Sequence, residues 1–284
     1  MDVCTFYVGQ GELVGIRAGN EGIIVDAHMP DNDHVQADEI KQSLRTYFKA
    51  HAVKGLILTG FDSDHAHADG VDWILTQFKP DWVMYPKYYK DTDCATQVFA
   101  CINKHVQARS NSSRPLVRHS IRLDKLEDRV IPVLAAKFEV EVFSPHVADM
   151  DCSNNCSIVA KITGLDSTGF RYLATGDTER ERWETIDKFF AAGLDSDVMS
   201  ASHHGSINGV HAKSLLDISP NTVLISAGVD SQYDHPSPAA VAAYSKVAKH
   251  VYATNAGNNP QCLLTKRAGD DFATTVFEHA SVAA

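Results

Sequence analysis

The sequence lacks the features of a membrane-embedded or exported protein. No stretch approaches the ~18 to 20 uninterrupted apolar residues that a membrane-spanning helix needs. The first residues, MDVCTFYVGQGEL, contain neither the basic segment nor the long apolar run of a signal peptide. We therefore expect a cytoplasmic protein that does not engage a membrane.

Cysteine and positive charge are also scarce. Six cysteines are scattered over 284 residues, which without an export signal is typical of reduced thiols rather than of a disulfide framework. Lys and Arg together number 26 against 36 Asp and Glu, and the net charge of -10 argues against indiscriminate coating of nucleic acid. It does not exclude an active site that carries its own cations.

No repeat, low-complexity tract or Pro/Gly-rich linker divides the chain, so we expect one domain over residues 1–284. Residues 88–110 and 238–249 are predicted as helices, 110–118 as a polar loop and 261–267 as the last strand. In each half the predicted strands come first and the helices follow. This order predicts an α/β protein in which two packed sheets carry helices outside, a four-layer αββα arrangement.

Acidic and histidine residues recur where predicted strands end. The segment GFDSDHAHADG, residues 60–70, directly follows the apolar strand KGLILT. Loops at one edge of a sheet are where α/β proteins gather ligands, and such side chains can hold zinc or manganese. The residues in these positions are Asp26, His28, Asp62, Asp64, His65, His146, Asp177, His203, His204 and His235.

Each of these residues also has a structural explanation when it is taken alone. Asp177 after a strand is typical of a turn, and Asp64 is placed to cap the following helix. His28, His67 and His211 are more typical of solvated or capping positions than of ligands. The joint pattern, with successive strand ends each carrying a ligand-type residue, favours a metal site.

Short motifs along nearly the whole chain resemble the metallo-β-lactamase superfamily. The segments YVGQGELVGIR, IIVDAH, NNCSIVAKI, LATGD, ASHHGS and LISAGVDSQYDHPSP look most like the hydrolase domain of the ComEC-type DNA-uptake competence proteins. The resemblance implies the αββα fold of that superfamily and metal-dependent hydrolysis. Through the competence group it also implies phosphodiester chemistry, with DNA as the expected substrate.

The main motif of the superfamily, H-x-H-x-D-H, follows a strand, and two registers fit here. One register reads residues 60–65 as G-F-D-S-D-H and replaces both early histidines. The other reads residues 65–70 as H-A-H-A-D-G, replaces only the last histidine, and needs five extra residues after the strand. We favour the first register, because it keeps the motif on the strand end and makes Asp64 and His65 its Asp–His pair.

The resemblance implies two metal sites of unequal completeness. The first is depleted, since Gly60 and Asp62 replace histidines and His146 is the remaining candidate. We therefore expect one firm zinc or manganese ion and a second that is weak or absent. The ligands that the resemblance assigns to the firm site are all present, namely Asp64, His65, Asp177 and either His203 or His204.

Other residues receive supporting roles from the same resemblance. Asp26 would orient a ligand histidine, Asp62 or Asp64 would orient the nucleophile, and His235 would contact a phosphoryl oxygen or protonate the leaving group. Ser206 in the HHGS segment is predicted to bind the anion of the substrate. Independently of the resemblance, Arg114 and Arg118 belong to the one basic stretch of the sequence, which is either a strand-binding surface or a solvated loop.

Three functions fit these patterns. A nuclease should show a basic groove beside the metal, and a hydrolase of a lactone, thioester or cyclic nucleotide should show a closed apolar pocket. A degenerate member that binds a partner without catalysis should lack metal, and Gly60 permits that alternative. Because the sequence shows neither the channel nor the accessory nucleic-acid-binding domain of the competence proteins, we also expect a separate partner protein or a homo-oligomer.

Overall fold

The computed structural model describes residues 1–30, 34–88, 90–132, 134–149, 152–166, 169–229 and 231–279. Its strands form two sheets. The eight-stranded sheet has the order β14-β13-β1-β2-β3-β4-β5-β6. These strands are β1 (Asp2–Thr5), β2 (Val14–Ala18), β3 (Glu21–Val25), β4 (Ala52–Ile57), β5 (Trp82–Pro86), β6 (Val117–Ile121), β13 (Cys262–Ala268) and β14 (Asp271–Phe277).

The six-stranded sheet has the order β12-β11-β10-β9-β8-β7. Its strands are β7 (Phe138–Ser144), β8 (Val159–Gly164), β9 (Arg171–Ala174), β10 (Val198–Ser200), β11 (Thr222–Ile225) and β12 (His250–Ala253). Strands β9 to β12 run parallel to one another, as do β3 to β6 in the larger sheet. Each sheet therefore has one edge where the carboxyl ends of several parallel strands meet.

Within the described ranges, six α-helices cover the outer faces of the sheets. They are α1 (His34–Tyr47), α2 (Ala68–Gln77), α3 (Asp93–Arg109), α4 (Arg180–Phe190), α5 (Ala212–Ile218) and α6 (Pro238–Tyr244). In α1 the buried side chains include Ile40, Leu44 and Tyr47, which recur at the three- and four-residue spacing of one helix face. No helix within the described ranges is long and apolar enough to cross a membrane.

Three buried apolar clusters show the order of the layers. One packs α1, α2 and α3 against the outer face of the larger sheet, with Ile40, Ile74 and Val98 among its members. A second lies between the two sheets, and the third packs α4, α5 and α6 against the smaller sheet. The predicted four-layer αββα arrangement is confirmed.

The edges of the larger sheet depart from the prediction. Residues 117 and 118, predicted as part of a polar loop, begin β6, and β14 was not predicted. Both are edge strands with mostly exposed or half-exposed side chains, so they lack the apolar runs that mark a buried strand. Two helices are also shorter than predicted, since α3 begins at Asp93 and α6 ends at Tyr244.

Candidate metal centre

Four acidic and histidine side chains converge at the carboxyl ends of parallel strands from both sheets. Asp64 and His65 follow β4, Asp177 follows β9, and His204 follows β10. One ligand atom of each lies within 4.8 Å of those of the other three. Because His65, Asp177 and His204 are buried, the structure gathers this quartet inside the protein rather than on its surface.

Three buried atoms of the quartet, from His65, Asp177 and His204, are close enough to pair by charge but make no hydrogen bond of regular geometry. His65 Nε2 lies 2.9 Å from Asp177 Oδ1, and His204 Nε2 lies 3.6 Å from the same oxygen. Buried polar atoms are nearly always satisfied, so this arrangement requires a further partner. Two imidazole nitrogens and two carboxylates form a donor set that fits a divalent cation such as zinc.

The far nitrogens of both rings are held in place. His65 Nδ1 lies 2.8 Å from Asp26 Oδ2, and His204 Nδ1 lies 2.9 Å from the carbonyl oxygen of Ser226. Asp26 is itself fully buried and accepts hydrogen bonds from the amide and the hydroxyl of Thr59, each at 2.6 Å. A carboxylate behind a ligand histidine fixes both its tautomer and its orientation, and this holds Nε2 of His65 toward the cluster.

Burial and charge act against each other in the quartet. Burial opposes ionisation of Asp177, but His65 and His204 outweigh it and hold the pKa of that carboxyl well below its usual range. Burial also disfavours protonation of His204, but Asp177 and Asp64 raise its pKa to about 8. Nearby, burial and the charge of Asp26 raise the pKa of Glu12 to about 7. The carboxylates of the quartet and Glu12 therefore favour a positive charge between them, either a protonated histidine or a bound cation.

The backbone of the HHG segment directs its two histidines apart. His203 and His204 both have left-handed φ values, 51° and 53°, which non-glycine residues adopt only at a cost. His204 faces the quartet, whereas His203 Nδ1 lies 3.5 Å from Glu179 Oε1. Of the two histidines that the sequence left open, the structure brings His204 into the quartet.

Two glycines bear on the register of residues 60–70. A Cβ atom at Gly60 would have no atom within 4 Å, so this position has room for a side chain. A Cβ atom at Gly70 would lie 2.1 Å from the carbonyl oxygen of Ala27, so no histidine fits there without moving the backbone. His67 stands at the N-cap position of α2, and Asp69 is exposed in its first turn. The geometry thus favours the register in which Gly60 takes the first histidine position.

The residues expected for a first metal site do not converge. Asp62 lines the cavity beside the quartet, but its carboxylate forms an ion pair with Lys90. His146 Nε2 lies 2.9 Å from the carbonyl oxygen of Asp124, and its Nδ1 accepts a hydrogen bond from the amide of Ala148. The structure therefore does not bring His146 to the quartet, and it neutralises Asp62 with an ammonium group.

A cavity of about 230 Å³ opens beside the quartet. His235 lies in its wall with Nδ1 buried and unbonded, and burial together with the charge of His204 lowers the pKa of His235. No Lys or Arg is among the described residues that line this cavity. They are Gln10, Asp62, Ser63, Asp64, Asn154, Asp177, His203, His204, Tyr233 and His235.

The predicted substrate-binding residues are not among the described residues that line this cavity. Ser206 accepts a hydrogen bond from the amide of Asn208 and caps a short turn. Arg114 pairs with Asp81 just before β5, and Arg118 is the second residue of β6. Because β5 and β6 are parallel to β4, their amino ends lie at the edge of the sheet opposite the quartet. The structure does not bring Arg114 or Arg118 to the metal centre.

Two sequence motifs, VGQGEL and NNCS, contain polar residues that lie near the quartet but were not predicted to have a role there. In VGQGEL, Gln10 lines the cavity and Glu12 Oε2 lies 4.0 Å from His65 Nδ1. In NNCS, Asn154 lines the cavity and donates to Glu179. Both motifs belong to the segments that resemble the competence hydrolase domains, and that resemblance could have identified these residues as candidates.

A second cluster of similar side chains lies between α2 and α3. Asp72 Oδ1 lies 2.8 Å from His105 Nε2, 3.0 Å from Lys104 Nζ and 3.6 Å from Cys101 Sγ. Burial and the neighbouring Asp72 raise the pKa of the Cys101 thiol to about 12, which disfavours the thiolate that a metal requires. This cluster is an ion pair with its own counter-charge.

No protein-family model matches the chain. The chain is 31% identical over 98 residues to ComE operon protein 3 of Bacillus subtilis (strain 168). The match covers 34% of this chain and 12% of that protein, so the chain spans only a small part of the relative it matches.

Several solved structures resemble the chain at low sequence identity. A metallo hydrolase from the hyperthermophilic archaeon Ignicoccus hospitalis has a TM-score of 0.47 and 11% identity, over 98% of this chain and 99% of that one. A diphosphatase of the PhnP family has a TM-score of 0.43 and 10% identity, over 89% of this chain and 86% of that one. Both TM-scores are below 0.5, so no function is drawn from these likenesses.

Proposed function

We propose that this protein is a metal-dependent hydrolase of the metallo-β-lactamase superfamily that acts on phosphodiester bonds, with DNA as the leading substrate. The observation that carries the proposal is the buried quartet, whose unbonded atoms face one another beside a cavity. The partial match to ComE operon protein 3 and the motifs shared with the competence hydrolase domains support the choice of phosphodiesters.

One divalent ion, zinc or manganese, would be held by Asp64, His65, Asp177 and His204. When bound, such an ion makes hydroxide available near neutral pH and polarises the oxygen of the bond to be cleaved. Asp62 is not free to serve a second ion beside the quartet, because Lys90 already neutralises it.

Side chains around the ion would position the reactants. The carboxylate of Asp26 contacts Nδ1 of His65, and this contact keeps the His65 ring in one orientation. Asp64, half-buried at the cavity, is placed to orient the attacking water. His235 would contact a phosphoryl oxygen from the cavity wall, since its lowered pKa keeps the ring neutral and able to donate one hydrogen bond.

A hydrolase with a small substrate is the second candidate, and one observation favours it. The described residues that line the 230 Å³ cavity include no Lys or Arg, whereas long nucleic acids are held mainly through basic contacts to phosphates. The basic residues Arg109 and Arg114 lie at the far edge of the sheet, and Arg109 donates to the carbonyl oxygens of Pro80 and Arg114. Arg114 pairs there with Asp81.

One panel of substrates tests both candidates. Hydrolysis is measured with the zinc- and manganese-loaded wild type and with an Asp177→Asn variant. The substrates are single-stranded and double-stranded DNA, bis(p-nitrophenyl) phosphate, a cyclic nucleotide, a lactone and a thioester. Cleavage of DNA and of bis(p-nitrophenyl) phosphate by the wild type alone supports the leading proposal. Cleavage of only the cyclic nucleotide, the lactone or the thioester supports the second candidate, and metal binding without any cleavage contradicts both.

A further inference from the structure

Tyr233 is an exposed aromatic ring at the metal centre. Its side chain is 57% exposed, yet it lines the cavity together with Asp177 and His204. The ring lies over that of His235, with centroids 5.9 Å apart and planes inclined by only 18°. One side of the tyrosine ring is therefore supported by the imidazole, and much of the ring remains open to solvent.

A wider groove adjoins this cavity, and His235 lies in the walls of both. The volume of the groove is about 620 Å³, and its walls include Pro236, Val251 and Asn255. The described residues that line it include no Lys or Arg, and Asp234 adds a negative charge. A volume of this size accommodates a group much larger than a phosphoryl, and its lining suits a neutral group rather than a second phosphate.

We propose that Tyr233 is the stacking platform for a nucleobase of the substrate, with the phosphoryl group in the cavity beside the quartet. This inference rests on the proposed function and specifies its substrate as a nucleotide phosphodiester with an accessible base. Stacking on an aromatic face holds bases of any identity, so it contributes affinity that does not depend on a Lys or Arg among the described residues that line the cavity. A paired base inside a duplex presents no free face to Tyr233, so single strands and nucleotide esters are preferred.

Two esters with the same leaving group separate stacking from chemistry. Thymidine 5′-(p-nitrophenyl phosphate) carries a base, and methyl p-nitrophenyl phosphate does not. Since stacking contributes about 1–3 kcal/mol per base, Tyr233→Ala should raise KM about 5- to 150-fold for the thymidine ester. The methyl ester should lose much less than the thymidine ester, and Tyr233→Phe should behave as the wild type because the ring is kept. Phe189→Ala, which removes another exposed aromatic from α4, is the matched control.

A binding measurement keeps this inference separate from the proposed function. Calorimetric titration with thymidine monophosphate should show weaker binding to Tyr233→Ala and unchanged binding to Phe189→Ala, whether or not the protein hydrolyses any ester. Weaker binding in a protein inactive toward every phosphodiester would support the stacking role of Tyr233 and contradict the proposed function. Equal loss on both esters, unchanged affinity in Tyr233→Ala or no binding by the wild type would overturn the stacking role. Tyr233→Leu serves if the alanine variant does not fold.

Discussion

Two clusters of acidic and histidine side chains flank the start of α2, and they differ in what surrounds them. The quartet around Asp177 is largely buried, and three of its buried atoms make no hydrogen bond of regular geometry. The cluster around Asp72 is partly exposed, and His105 and Lys104 satisfy its carboxylate. A metal site and an ion pair therefore contain the same types of residue. Buried polar atoms that make no hydrogen bond are the feature that separates the two clusters.

The largest contrast between the clusters is expected in catalysis. Asp177→Asn should lower phosphodiester hydrolysis by more than about 100-fold, since loss of a ligand should exceed the 10- to 100-fold cost of losing a residue that orients one. Asp72→Asn should leave the rate unchanged, because that carboxylate already has its own cations. Steady-state kinetics with bis(p-nitrophenyl) phosphate make the comparison, and equal rates for the two variants would contradict it.

The next largest effect is expected at Asp26, the carboxylate that orients His65. In Asp26→Asn the new amide must face either the Thr59 amide or the ring of His65, so one of the hydrogen bonds of Asp26 is lost. Metal affinity should fall about 10- to 100-fold, measured by competition with a chelator. Thr59→Ser, which keeps the hydroxyl that donates to Asp26, should bind metal like the wild type. An unchanged affinity in Asp26→Asn would show that His65 needs no such support.

Gly70 lies on α2 between the two clusters. Substitutions at Gly70 and Gly60 test whether the superfamily motif occupies residues 60–65 rather than 65–70. Gly70→Ala forces a Cβ atom against the carbonyl oxygen of Ala27, and overpacking of this kind costs about 1–3 kcal/mol. Gly60→Ala places its Cβ atom in open space and should change stability by less than about 0.5 kcal/mol. Thermal unfolding of both variants makes the test, and a well-tolerated Gly70→Ala would reopen the second register.

The smallest effect is a pH dependence in the satisfied cluster. Burial opposes ionisation of Asp72, but hydrogen bonds from His105 and Lys104 outweigh it and lower the pKa of Asp72. The ion pair thus stabilises the fold above the unfolded pKa of about 3.9, and that contribution is lost as pH falls through the lower folded pKa. Asp72→Asn should cost less than about 1 kcal/mol at pH 7, as is typical of a mostly exposed pair.

Unfolding measured at pH 7 and again in acid tests this dependence. The stability difference between the wild type and Asp72→Asn should shrink as the pH falls and should also shrink at high salt. A difference that grows in acid would have the wrong sign for a carboxylate with a lowered pKa.

Much of the architecture follows from the sequence, because the inner strands carry clear apolar runs. The two sheets and the outer helices were predicted on that basis, whereas β6 and β14 were not. These edge strands bury few side chains, so their sequences lack the period that marks a sheet. β6 pairs with β5, which lies about thirty residues earlier in the chain, whereas β14 forms a hairpin with the adjacent β13. Neither pairing is marked by an apolar run.

The candidate site shows the same division. Strand ends carrying Asp64, His65 and Asp177 were recognised from local patterns, and the structure gathers them. The choice of His204 over His203 depends on a backbone turn with two left-handed residues, which the letters HHG do not reveal. The positions of Arg114 and His146 depend on which edge of the sheet a loop meets and on which backbone atoms lie nearby.

The most direct test of the account is the metal content of the purified protein beside an Asp64→Ala, His204→Ala double variant. We expect mass spectrometry to find about one zinc or manganese ion per chain in the wild type, as a single set of four ligands implies. The double variant should contain none, and an Asp72→Asn, His105→Gln variant should keep the full content. Metal retained in the first variant, or none in the wild type after supplementation, would contradict the assignment of the quartet as a metal centre.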